Sequence, residues 1–221
     1  MTTTLITGAA RGIGAEMVAE LRHRGGTVIA ATRSPAPHLA KLGAEVIDGV
    51  EVTNPLAVAH LAGQLKGQTI DVLINNAGIS NSDDWEKEPL DNMRKLFEVN
   101  ALGPVEVTRR LLPYLAPKAK IVMITSRLGS IAGTTAAIPD IGYRMSKAAL
   151  NIAGKLMAES LKDRGVTVLM IHPGYVKTGM NEGRGDIDAK TSAKGVLALI
   201  DRHGIDKTGT YWHVDGQALP W

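Results

Sequence analysis

The feature that most limits how this chain can fold is an alternation. Short apolar runs at 4–7, 27–32, 45–48, 71–75, 120–125, 167–172 and 210–214 are separated by stretches with helical spacing at 12–24, 35–42, 55–65, 90–115, 143–164 and 188–202. The apolar runs are nearly continuous instead of alternating with polar residues, so they suit strands buried on both faces, as in a parallel sheet. Strands and helices in strict alternation give an α/β fold: a Rossmann-type, doubly wound parallel sheet of about seven strands flanked by helices, with right-handed crossovers. Ligands of such sheets bind beyond the carboxyl ends of the strands. The polar and glycine-rich residues of this sequence gather at those ends.

At 221 residues the chain fits one domain, 1–221. Its 44% hydrophobic content can fill a core, and 21% charged residues with a net charge of only +3 argue against disorder. The charges are interspersed, so neither nucleic acid nor a membrane surface is expected as a partner. There is no cysteine, which excludes disulfides and thiol nucleophiles. The N-terminus has no charged leader with a long apolar run, and the sequence predicts a cytoplasmic protein. The six histidines show no metal-ligand spacing, and no metal is expected.

The first strand runs into Thr7-Gly-Ala-Ala-Arg-Gly-Ile-Gly14 and then into a helix. Gly8, Gly12 and Gly14 allow a tight turn and close approach of the backbone to a pyrophosphate. The helix N-terminus beyond them offers free N–H groups and the positive end of a dipole. Arg11 and Ile13 lie in the same turn. The second strand ends at Arg33, about 20 residues further on, where an acid would bind a ribose 2′-hydroxyl and select NAD. Arg33 instead suits a 2′-phosphate, with Arg11 assisting, so NADP(H) is the cofactor the sequence predicts.

Tyr143 and Lys147 are one turn apart on a predicted helix and face the same way. A nearby ammonium favours a phenolate, so Lys147 is expected to lower the Tyr143 pKa. Met93, Phe97, Pro104, Val107 and Leu111 form a stripe that includes Asn100, a polar amide in an apolar face that needs a partner. Pro104 has no N–H and cannot bond the carbonyl of residue 100.

T-G-x-x-x-G-x-G, Asn75-Asn-Ala-Gly78, Asn100, Ser126, Tyr143-x-x-x-Lys147 and Pro173-Gly-x-x-x-Thr178 follow in order along almost the whole chain. In this the sequence resembles the short-chain dehydrogenase/reductase superfamily. His172-Pro-Gly-Tyr-Val-Lys-Thr178 and Asp215-Gly-Gln-Ala-Leu-Pro-Trp221 resemble its C-factor and sniffer-like carbonyl reductase subgroup. The resemblance implies an enzyme that reduces an aldehyde, ketone or quinone, or runs the reverse oxidation. Tyr143 is its general acid/base, Lys147 also bonds the nicotinamide ribose, Ser126 orients the substrate and Asn100 holds a relay water. Ser130 competes with Ser126 for the serine role.

For the cofactor the resemblance implies Glu51 and Val52 near adenine, with Asp48 as a competing carboxylate. It places Asn76, Ala77 and Gly78 along the ribose, and Pro173, Gly174, Val176 and Thr178 at the diphosphate and carboxamide. A substrate cleft is expected among 80–85, 128–141 and 175–186, with Gly179, Gly183 and Gly185 in a lid. Pairing through the helices at 90–115 and 143–164 implies a homodimer or homotetramer. The alternatives are an NADP(H)-binding signalling protein with little turnover, against which the full set Asn100, Ser126, Tyr143 and Lys147 argues, and a sugar-nucleotide epimerase, which needs a larger C-terminal region.

Overall fold

A computed structural model describes residues 2–65, 67–80, 85–135 and 140–221. In chain order the elements are β1 (Thr3–Thr7), α1 (Gly12–His23), β2 (Thr27–Ala31), α2 (Pro37–Lys41), β3 (Glu45–Ile47), α3 (Pro55–Gln64), β4 (Ile70–Asn75), α4 (Leu90–Phe97), α5 (Gly103–Leu111), β5 (Leu115–Ile124), α6 (Ile141–Leu161), β6 (Thr167–His172), β7 (Val176–Lys177), β8 (Ile187–Asp188), α7 (Ala189–Arg202) and β9 (Thr210–His213). Seven strands form one parallel sheet in the order β3-β2-β1-β4-β5-β6-β9. The order reverses between β1 and β4, and a doubly wound sheet opens its ligand crevice at such a reversal.

The period-two geometry of strands sends neighbouring residues to opposite faces. Val122 and Ile124 pack with Met17 and Val18 of α1 and Val196 and Ile200 of α7 on one face. Ile121 and Met123 turn to the other face, against Leu150 and Ala158 of α6. Beside them, Leu5, Ile29 and Leu73 pack on Val58 and Leu61 of α3 and Val107 and Leu111 of α5. Burial of both faces is what the continuous apolar runs require. No helix among the described residues is long and apolar enough to cross a membrane.

The single helix expected over 90–115 is broken. Between α4 and α5 lies a π-helical turn, Glu98–Leu102, in which the Gly103 N–H reaches back to the Glu98 carbonyl. Pro104 has no N–H to sustain a regular helix here. The wider turn shifts the helical register. Leu96, Asn100 and Ala101 are buried, whereas Phe97 is exposed and Met93 only half-buried, so these two leave the expected stripe. The chain then enters β5 at Leu115, five residues earlier than its apolar run predicts, through an irregular pairing with β4. The short pair β7-β8 carries no pattern in the sequence and was not foreseen.

α6 begins at Ile141, with Asp140 in the left-handed region and no side-chain cap of its own. Its cap comes from far away. The buried carboxylate of Glu88 accepts the Gly142 N–H at 2.9 Å. A side chain at Gly142 would collide with that carboxylate. The anion also suits the positive end of a 21-residue helix. The start of α6 is thus tied to the segment before α4.

Candidate active site

The carboxyl ends of β1 and β4 are stitched together. Thr7 Oγ1 accepts the N–H groups of Asn76 and Ala77 at 3.1 and 3.2 Å, and the Asn76 amide donates to the carbonyls of Thr7 and Gly8 at 3.0 and 3.1 Å. Gly8 has φ +64°, and a Cβ there would lie 2.7 Å from Ala77 Cα. A Cβ on Gly14 would lie 2.6 Å from the Gly8 carbonyl oxygen. The two loops can therefore meet only with glycine at both positions. The first turn of α1 has no side-chain cap and no acid, which leaves its N–H groups to a ligand.

A cleft of about 450 Å³ runs from this turn in both directions. Gly8, Arg11, Gly12, Ile13, Gly14, Arg33, Glu51, Val52, Asn76, Ala77, Gly78, Tyr143, Lys147, Pro173 and Thr178 all line it. Gly174 and Val176 do not. Gly174 packs toward Ile187, and Val176 is buried in β7, so both support the rim from behind. Of the competing carboxylates, Glu51 borders the cleft and the exposed Asp48 does not. Arg33 stands exposed at the end of β2, 3.4 Å from Glu51. That surface pair is weak enough to open for an anion. Gly179 and Met180, from the expected 175–186 segment, also line the cleft, as do Ser34 and Ile79, which no sequence signal marks.

At the far end, Tyr143 and Lys147 come together from α6. Lys147 is buried, its Nζ donates to the Ile124 carbonyl at 2.9 Å, and it sits 5.8 Å from the centre of the Tyr143 ring. Burial pulls the ammonium pKa down to about 8. Burial pushes the Tyr143 phenol up to about 12; a hydrogen bond with Ser126 opposes this, and Asp140 adds to it. The expectation that Lys147 lowers the phenol pKa is therefore not met in this arrangement. Desolvation dominates the phenol's shift, and the Lys147 amine, itself pushed toward neutrality and held by a carbonyl, is not among the groups that oppose it.

The two candidate serines separate cleanly in space. The Ser126 hydroxyl meets Tyr143 and accepts the Leu128 N–H at 3.2 Å. The Ser130 hydroxyl is tied instead to the Gly133 N–H at 3.0 Å and the Trp221 carbonyl at 3.3 Å.

Asn100 is fully buried. Its Oδ1 accepts the Ile79 N–H and its Nδ2 donates to the Ile79 carbonyl, both at 2.9 Å, and Nδ2 also reaches Ser146 Oγ at 3.0 Å. Ser146 in turn donates to the Tyr143 carbonyl at 2.7 Å. The partner that a buried amide demands is thus the loop beyond β4 together with α6. His172 is buried against His213 with ring centres 5.0 Å apart; burial holds its pKa down to about 3, so it is neutral. Of the expected substrate cleft, residues 81–84 (with Asp83 and Asp84) and 136–139 lie outside the described residues, while Trp85 and Tyr175 are exposed.

Three buried residues tied to this region by long-range hydrogen bonds escaped the sequence reading: Glu88 on the Gly142 N–H, Asn151 on Thr125 and Gly129, and Tyr211 on the Ser126 carbonyl. Glu88 has no local signal. Asn151 continues the Tyr143–Lys147 stripe by one more turn, and that spacing could have found it. Tyr211 lies in an apolar strand and reads as core.

A family model described as short chain dehydrogenase matches residues 2–188, and the chain belongs to this family. Among its relatives, 1-hydroxy-2-glutathionyl-2-methyl-3-butene dehydrogenase of Rhodococcus sp. (strain AD45) is 34% identical over 227 residues, covering all of both chains. The C-signal protein of Myxococcus xanthus is 38% identical over 160 residues, 69% of this chain and 93% of that one. Among solved structures, an NADPH-bound carbonyl reductase from chicken fatty liver has a TM-score of 0.92 at 28% identity, covering 100% of this chain and 99% of that one. The carbonyl reductase Sniffer of D. melanogaster also gives 0.92, at 27% identity over the whole of both chains.

The Lys147 pKa makes stability depend on pH in a defined window. The folded value, about 8, lies below the 10.5 of an exposed lysine. Between the two, the unfolded chain holds a proton that the folded chain lacks, so stability rises with pH there. The benefit is complete above the unfolded pKa and lost as pH falls through the folded one. The wild type should therefore gain about 2 kcal/mol on Lys147→Met between pH 7 and pH 9.5 in urea unfolding. A constant difference would mean that Lys147 stays charged throughout.

Proposed function

We propose that the chain reduces a carbonyl of an aldehyde, ketone or quinone to an alcohol with NADPH, or runs the reverse oxidation. The observation that carries this reading is the meeting of Tyr143 and Lys147, with Ser126 behind them against Tyr143, at one end of a cleft whose middle is a glycine turn and whose other end is Arg33. The cleft fits a dinucleotide: only glycine fits where the loops close, and the N-terminus of α1 is left uncapped. Gly8, Arg11, Gly12, Ile13 and Gly14 would hold the diphosphate, Arg33 the 2′-phosphate, and Glu51 and Val52 the adenine end. Asn76, Ala77 and Gly78 would pass along the ribose, with Pro173 and Thr178 at the nicotinamide side. The bound nicotinamide supplies or accepts the hydride.

The chain's own residues then handle the proton. A phenol with a pKa near about 12 is protonated at neutral pH and suits a general acid in the reduction direction. Ser126 Oγ accepts the Leu128 N–H and meets Tyr143, and its single hydrogen would turn from the phenol to the substrate oxygen once substrate is bound. Lys147, 5.8 Å from the centre of the Tyr143 ring, would bond the nicotinamide ribose. Asn100 fixes the Ile79 loop on one side and, through Ser146, the Tyr143 backbone on the other. Its own carbonyl, out of reach of a Pro104 donor, is where a relay water would bind.

With benzaldehyde- and quinone-type substrates, Tyr143→Phe should lower NADPH-consuming turnover by at least about a thousandfold while NADPH affinity stays within a few-fold. Bound NADPH without turnover in the wild type, on any carbonyl, would favour the signalling alternative. Arg33→Ala should cut the preference for NADPH over NADH by about ten- to a hundredfold, read as a ratio of kcat/KM values. An unchanged ratio would remove Arg33 from the 2′-phosphate site.

Pairing into a homodimer or homotetramer is part of the same reading. Met145, Ile152 and Leu156 are 52%, 66% and 65% exposed on α6, and Phe97 is exposed on the neighbouring α4. An apolar stripe of this kind on an enzyme surface marks an interface. Ile152→Glu combined with Leu156→Glu should yield monomers in sedimentation, and a wild type that already sediments as a monomer would refute the pairing.

A further inference from the structure

Ser126 is the one member of the catalytic cluster that stands on a loop. Tyr143 and Lys147 are fixed by α6 and Asn100 by the π-helical turn. The Ser126 backbone is extended, and the chain leaves it through a single 3-10 turn, Arg127–Gly129. Something must set the direction in which its hydroxyl points. The structure supplies that from the last strand of the sheet.

The Tyr211 hydroxyl, from β9, donates to the Ser126 carbonyl. Tyr211 is 2% exposed, and its ring stacks on Trp221 with centres 5.3 Å apart and planes 26° from parallel. Asn151 is also buried and meets the same phenol. Its Oδ1 accepts Thr125 Oγ1 at 2.8 Å, and its Nδ2 donates to the Gly129 carbonyl at 3.3 Å. The turn is thus held just before Ser126, at Ser126 and three residues after it. Further along, Ala132 N–H and Ser130 Oγ both donate to the Trp221 carbonyl, at 2.8 and 3.3 Å. Burial also pushes the Tyr211 phenol up, so it remains a donor through the working pH range.

We infer that Tyr211 is a positioning residue for the reaction, acting through Ser126: its hydroxyl fixes the Ser126 peptide plane, and thereby aims the serine hydroxyl at Tyr143 and the substrate oxygen. Asn151 braces the same turn from α6. Pulling the carbonyl one way fixes the Cα–Cβ bond of the same residue. A serine that swings off by a fraction of an ångström loses its hydrogen bond to the developing alkoxide. The stacking of Tyr211 on Trp221 needs only the ring. The hydroxyl is the part that reaches the site.

This inference rests on the reading of Ser126 as the substrate-orienting serine, and a double-mutant cycle separates the two. Ser126→Ala, Tyr211→Phe and the double variant are compared by kcat, by KM and by NADPH affinity, with thermal unfolding as a check on the fold. Tyr211→Phe should lower kcat about tenfold and leave NADPH affinity within about twofold, because Tyr211 does not line the cofactor cleft. On the Ser126→Ala background it should add less than about twofold. The pH limb assigned to Tyr143 in the oxidation direction should move upward in both single variants, since Ser126 lowers the phenol pKa.

Losses that multiply in the double variant would overturn the inference, because Tyr211 would then act without Ser126. So would a Tyr211→Phe enzyme with wild-type kcat. Full activity in Ser126→Ala would sink the reading of Ser126 itself. Asn151→Leu serves as a second probe should Tyr211→Phe fail to fold. It should show the same non-additivity with Ser126→Ala, and multiplying losses there would equally count against the scheme.

Discussion

Everything in this molecule that resembles chemistry depends on the place where β1 and β4 lie side by side and their connections part. Parallel pairing aligns the carboxyl ends of all seven strands on one edge, and the reversal of order opens a gap there. A gap between two loops would ordinarily close or drift. Here it is held at a fixed width by Thr7 and Asn76, each of which bonds across to the other loop. The Asn76 amide is consumed in doing so. What remains exposed toward the cleft is backbone and glycine, which is what a diphosphate needs.

The electrostatics of the far end are set by desolvation more than by charge pairing. The same burial drives Lys147 toward neutrality and holds Tyr143 protonated. These shifts have opposite sign for a base and an acid, yet both favour the uncharged form. A phenol held protonated is ready to donate a proton, and the amine beside it is still largely protonated at neutral pH. The arrangement suits the reduction direction at neutral pH, whereas oxidation needs the phenolate and so a higher pH. Ser126 is the group that pulls the phenol pKa back toward the working range, so its placement affects both directions.

Much of this was legible in the sequence, and the reason is local. A glycine turn between a strand and a helix, and two side chains one turn apart on α6, are defined by short-range geometry. Such motifs keep their meaning without knowledge of the rest of the fold, and the structure brings Gly8–Gly14, Tyr143 and Lys147 to one cleft. The choice between Ser126 and Ser130 was not legible, because it depends on which hydroxyl the C-terminal segment ties down. The break of the helix at Glu98–Leu102 was half-visible in Pro104. The extra residue of a π turn has no periodicity of its own, so the stripe through Phe97 looked continuous. The sign of the Tyr143 shift was misread because the sequence shows that a lysine is near and says nothing of how deeply both are buried.

The residues that sequence reasoning missed have a common character. Glu88 caps α6 from 54 positions away, and Tyr211 reaches Ser126 from 85 positions away. Each is an ordinary residue in its local context, an acid before a helix and an aromatic in a strand. Each acquires its role only when the sheet and α6 are in place. The local motifs supply the reacting atoms, and the long-range hydrogen bonds fix where those atoms point. Such contacts bury a donor and an acceptor together, so breaking one leaves an unsatisfied group in the interior and the surroundings must shift to accommodate it. A site supported this way tolerates change at its exposed rim far better than at residues two layers behind it. In the proposed enzyme, change at exposed residues such as Trp85 and Tyr175 would therefore leave the placement of Tyr143 fixed.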